Sequence, residues 1–92
     1  MKKVYLVTVT DVVANVCEET PEGVAELVKG LVDGDMDIDY SEVRQICKGM
    51  KPGDHSHWID ESEQGEGWEV TVCCTEMTEE QFRNLPRRDD IW

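Results

Sequence analysis

The sequence predicts an α+β fold, a single small domain over residues 1–92 with an antiparallel sheet of about three strands and two to three helices packed on it. Three observations point there. Val4 to Val9 alternates Val4, Leu6 and Thr8 with Tyr5, Val7 and Val9, which is the period of a strand. Val24, Leu27, Val28 and Leu31 recur at i, i+3, i+4 and i+7, which is the apolar stripe of a helix. Trp68 to Thr75 is an apolar, β-branched run, and Thr78-Glu79-Glu80-Gln81 after it is a capping box that opens a further helix. At 92 residues the chain can build one modest core and no second.

The first strand is apolar on both faces, as in a central strand covered on one or both sides, and its apolar pattern resumes at Val12, Val13 and Val16, which reads as a bend near Asp11. Thr20-Pro21-Glu22 starts the first helix, with a hydroxyl cap, proline at the first helical position and an acid in the first turn; Gly34 ends it. Asp35 to Tyr40 alternates acidic and apolar residues and reads as a short edge strand or an extended connector. Ser41 is read as the cap of a second, shorter helix that turns Val43, Ile46, Cys47 and Met50 inward and stops at Gly49 and Pro52-Gly53. His57 to Asp60 reads as a weak strand, Glu61 to Gly67 as a polar loop, and the strand from Trp68 then completes a hairpin. The last helix runs through Phe82 and Leu85 to Pro86. The expected order is β-α-(β)-α-β-β-α, with a core of Leu6, Val24, Leu27, Val28, Leu31, Ile46, Trp68, Val70 and Val72.

Charge is the strongest functional signal. The chain has 21 acidic and nine basic residues, a formal net charge of -12, and Pro52 to Phe82 contains nine acids and no lysine or arginine. Self-repulsion of that size opposes compaction, so it points to solubility or to a basic partner. Direct nucleic-acid binding is not expected, because scattered lysines and the pair Arg87-Arg88 beside Asp89-Asp90 make no basic stripe. Met1-Lys2-Lys3 leads straight into a strand too short to cross a bilayer and without an export signal, so the expectation is a cytoplasmic protein with no membrane partner. In that compartment Cys17, Cys47, Cys73 and Cys74 are expected as reduced thiols, at least two of them acting as small buried hydrophobes.

Candidate chemistry is incomplete everywhere. Asp33-Gly34-Asp35-Met36-Asp37-Ile38-Asp39 begins like a calcium loop, yet from Asp33 the glycine position is Ile38 and the bidentate-glutamate position is Arg44; from Asp35 they are Tyr40 and Ile46. His55-Ser56-His57 offers two imidazoles, but no tight cysteine pair accompanies them, and Cys73-Cys74 points to opposite strand faces. Cys73 or Cys74 with His55 or His57 and Asp60 would form a thiol catalytic set only by chance of residue count. No metal, no cofactor and no enzymatic activity are expected. Trp68 is expected in the core, whereas Trp58 and Trp92 are read either as core edges or as interface anchors.

The segments Trp68-Glu69-Val70-Thr71-Val72 and Met77-Thr78-Glu79-Glu80-Gln81-Phe82-Arg83-Asn84-Leu85-Pro86 resemble the ending of small proteins from phages and other mobile elements of gut bacteria. Small size and an acidic surface are also similar to phage anti-defence proteins, including anti-CRISPR proteins that occupy basic nucleic-acid channels. The resemblance implies a stoichiometric inhibitor acting in a bacterial host cytoplasm on a protein with a basic, nucleic-acid-binding surface. The residues assigned to that contact are Asp33, Asp35, Asp37, Asp39, Asp54, Asp60, Glu61, Glu63, Glu66 and Trp58. Alternate strand residues lie about 6.6 Å apart, roughly half the density of phosphates spaced by about 3.4 Å, so two acidic segments would be needed to imitate a strand. The alternatives are an acidic adaptor that binds through an apolar patch near Trp58 or Trp92, and a small metal- or thiol-dependent enzyme.

Overall fold

The computed structural model describes residues 1–10, 12–32, 38–59 and 69–87. They form β1 (Lys2–Val9), β2 (Val13–Glu18), α1 (Pro21–Val32), α2 (Tyr40–Lys48), β3 (His55–Ile59), β4 (Glu69–Met77) and α3 (Glu79–Arg83). The α+β class is as the sequence predicts, but the sheet has four strands, in the order β2-β1-β4-β3, with every neighbouring pair antiparallel.

The additional strand is β2, which the sequence reads as a bent continuation of β1. The chain instead folds back, and the Val12 N–H donates to the Val9 carbonyl at 3.0 Å. Pairing then jumps from Val7 opposite Val16 to Val9 opposite Val13, so β2 carries a bulge. Asn15 absorbs it at φ 53, a left-handed conformation that asparagine tolerates, and its N–H donates to Thr8 Oγ1 at 3.0 Å. The bulge breaks strict alternation and keeps Val13 and Val16 on the same face.

The helix starts follow their capping chemistry. Thr20 Oγ1 accepts the Gly23 N–H at 3.0 Å, and α1 begins at Pro21 as expected. A Cβ at position 23 would lie 2.5 Å from Oε2 of the buried Glu18, so a larger residue there would have to move that side chain. For α2 the cap is Asp39, not Ser41: its carboxylate accepts from the N–H groups of Ser41 and Glu42, and Tyr40 is already helical. Ile38 and Asp39 therefore belong to no strand, and the remainder of the proposed Asp35–Tyr40 strand up to Asp37 lies outside the described residues. The capping box at Thr78 and Gln81 is formed, with bonds of 3.0 and 3.2 Å.

Two clusters sit on the two faces of the sheet. The larger packs α1 and α2 onto Tyr5, Val7, Val9, Val16, Val70, Val72 and Cys74. The smaller packs Phe82 of α3 onto Val4, Cys17 and Met77, with Leu6 and Leu85 beside it. The double-sided apolarity of β1 thus has a cause: both its faces are covered. Val24, Leu27, Val28, Val70 and Val72 are fully buried, as expected, whereas Leu6, Leu31 and Ile46 are only partly so, because each lies at the margin of its cluster. Trp68 and Trp92 lie outside the described residues.

Candidate functional site

The two edges of the sheet differ. β2 is covered by the C-terminal segment: the Cys17 N–H donates to the Pro86 carbonyl at 2.8 Å, and Cys17 bridges Arg87 in parallel. Among the described residues, no strand pairs with the outer side of β3.

A tight turn launches β3. Asp54 Oδ2 accepts the Lys51 N–H at 2.9 Å, Gly53 takes a φ of 99, and the Gly53 N–H donates to the Cys74 carbonyl at 2.8 Å. The Cys74 N–H in turn donates to the Asp54 carbonyl at 2.8 Å, so the backbone polar groups of Cys74 face the β3 side. Antiparallel ladders alternate, which makes Val72 and Val70 face β3 as well and bond to their partners Ser56 and Trp58. Glu69 confirms the phase from the other side, because its carbonyl accepts from Thr10 N–H at 3.0 Å across the β1 edge. By the same alternation, the N–H and C=O groups of His55, His57 and Ile59 point outward.

Side chains of β3 also divide. Ser56 and Trp58 lie on the face of α1 and α2, where Trp58 packs half-buried against the larger core. His55, His57 and Ile59 lie on the opposite face, and Ile59 is 51% exposed. A cavity of about 560 Å³ runs between the end of α2 and the start of β3, with Gln45, Ile46 and Met50 on one wall and Asp54, His55 and Ser56 on the other.

The thiols are weak candidates for catalysis. Burial pushes the Cys17 and Cys47 thiols up to about 11, with the carboxylates of Glu18 and Glu19 adding to the effect at Cys17 and the neighbouring Cys74 adding at Cys47. Cys74 is raised too, chiefly by burial. Such thiols stay protonated near neutral pH and are poor nucleophiles. Cys73 is half-buried and stands opposite His55 in the β3–β4 register, yet among the described residues no three histidine, cysteine or acidic side chains converge to hold a metal ion.

Of the residues assigned to partner contact, Asp39 and Asp54 are exposed, and each also holds a local backbone turn. Asp54 and Trp58 lie at β3, whose outer side pairs with no strand among the described residues, whereas Asp39 belongs to the start of α2. Asp33, Asp35, Asp37, Asp60, Glu61, Glu63 and Glu66 lie outside the described residues. The outward backbone of His55, His57 and Ile59 escaped the sequence reading, which began this strand at His57. A signal was present: His55 to Ile59 carries no lysine, acid or proline, the usual protection of an edge.

Comparison with family models, with curated proteins and with solved structures returned no match. Among the described residues no helix is long and apolar enough to cross a membrane.

Proposed function

We propose that the protein is a non-enzymatic, acidic protein-binding inhibitor, of the phage anti-defence or anti-CRISPR type, whose carboxylates take the place of nucleic-acid phosphates on a basic surface of its target. The distribution of charge carries this reading. Nine of the 21 acidic residues, and no lysine or arginine, lie between Pro52 and Phe82. Four of these, Asp60, Glu61, Glu63 and Glu66, follow β3 directly in the sequence. Residue 11 joins β1 to β2 and residues 60–68 join β3 to β4, so both leave from one end of the sheet, where Val9 pairs with Val13 and Ile59 with Glu69. A net charge of -12 attracts a basic surface at long range and speeds association.

Capture from a bacterial lysate at low and high salt, followed by competition with an oligonucleotide, tests the proposal. A salt-labile nucleic-acid-binding protein displaced by the oligonucleotide is expected. Neutralising Asp60, Glu61, Glu63 and Glu66 to Asn or Gln should then slow its association by about tenfold at low salt and flatten the salt dependence. The set Asp35→Asn, Asp37→Asn and Asp39→Asn should act likewise without harming α2, since asparagine caps a helix about as well as aspartate. An association rate unchanged by both sets would remove the mimicry.

A further inference from the structure

We infer that the outer edge of β3, with the groove beside the end of α2, docks an extended, lysine- or arginine-bearing segment of a protein partner, which adds to the sheet as another strand. The inference rests on the proposal that this chain binds a basic protein, and it supplies the contact that long-range charge cannot. Three features of the edge favour a strand. The N–H and C=O groups of His55, His57 and Ile59 point away from β4, pair with no other strand among the described residues and form a row of donors and acceptors to which an incoming backbone can bond in register. The strand also lacks the charges, proline or bulge with which edges are normally blunted, while the other edge of the same sheet is covered by Pro86 and Arg87.

The third feature is the groove. Side chains of an added strand alternate between two faces. One set would drop into the cavity of about 560 Å³ floored by Ile46 and Met50, and the other would lie beside the exposed Ile59. The groove offers Ile46 and Met50 beside Gln45, Asp54 and Ser56, so it can take an aliphatic side chain and leaves a carboxylate within reach of a basic one, and Ile59 gives an apolar neighbour on the other face.

Charge selects the occupant. A second copy of this chain would bring a second net charge of -12 to the edge, and self-pairing would gather acids with no lysine or arginine from Pro52 through Phe82 to offset them. A segment that alternates aliphatic residues with lysine or arginine meets the opposite field.

The test uses the full chain, labelled with nitrogen-15, and two synthetic probes. The first is the capped peptide Lys-Val-Thr-Val-Lys-Val, and the second is Lys-Pro-Thr-Pro-Lys-Val, which keeps the charge but cannot form a continuous ladder. At about 20 mM salt, where charge is weakly screened, the first probe should shift the amides of His55, His57, Ile59 and Ile46 and slow hydrogen exchange at His57. The proline probe should bind at least about tenfold more weakly, the equivalent of one or two backbone hydrogen bonds. The variant His57→Pro removes an outward N–H while sparing the bonds to β4, so it should fold and should lose the difference between the probes. If that variant does not fold, hydrogen exchange at His57 in the unaltered chain still decides. Equal binding of both probes, with no protection at His57, would overturn strand docking and leave charge mimicry standing. Binding by neither would overturn both readings.

Discussion

Cys17 and Cys47 show how much a side chain's chemistry depends on where the fold puts it. The sequence expects at least two of the four thiols to be buried, and the fold separates them: two are pushed up to about 11, Cys74 is raised by burial as well, and Cys73 alone is half-buried. Alkylation of the native protein near neutral pH should therefore modify Cys73 first, with Cys17 and Cys47 reacting only after unfolding. Immediate modification of all four would mean that the sheet and helices do not enclose them. The same shift sets a pH dependence. A thiol with a folded pKa raised from 9.0 to about 11 contributes stability that is fully present below pH 9.0 and is lost as pH rises through about 11. Denaturation midpoints should fall across that window, and should fall less in a Cys47→Ala variant. Asp39 makes a related point about role. It reads as interface charge in the sequence, yet its carboxylate also closes the first turn of α2.

Among the elements, α1 was the most legible, because its cap, its first-turn proline and its apolar stripe are all local signals. It lies on the sheet with Leu27 and Val28 fully enclosed between the two layers. Replacing Leu27 by alanine should cost roughly 2 to 5 kcal/mol, a large share of the stability of so small a domain. Chemical denaturation checks this, and a loss below about 0.5 kcal/mol would show that the helix is not packed as described. β2 was illegible for an equally physical reason. Its bulge at Asn15 puts Val13 and Val16 on the same face, so no two-residue period survives to announce a strand. The extent of β3 was missed differently: residues as polar as His55 and Ser56 carry little strand signal of their own, and β4 recruits them through register.

For the whole molecule, electrostatics and packing act against one another. Both faces of the central strand β1 are covered, which is about as much core as 92 residues can enclose, while the net charge of -12 repels itself. Salt shortens the Debye length from about 10 Å at 0.1 M to about 3 Å at 1 M and so should relieve that repulsion. The melting temperature should rise by several degrees between low and high salt, measured by circular dichroism. A flat or falling response would mean that the acids are already compensated within the folded chain, and the charge would then be unavailable to a partner.

The α+β class, the caps at Thr20 and Thr78, the stripe of α1 and the acidic excess were determined by the sequence itself, because each depends on residues a few positions apart or on composition alone. The folding back of β2, the coverage of its edge by Pro86 and Arg87, and the outward phase of His55, His57 and Ile59 were decided only by the tertiary structure. Each of these is a pairing between segments distant along the chain. Strand register depends on which backbone groups find partners across the sheet, and that choice is made by the assembled core rather than by any one segment.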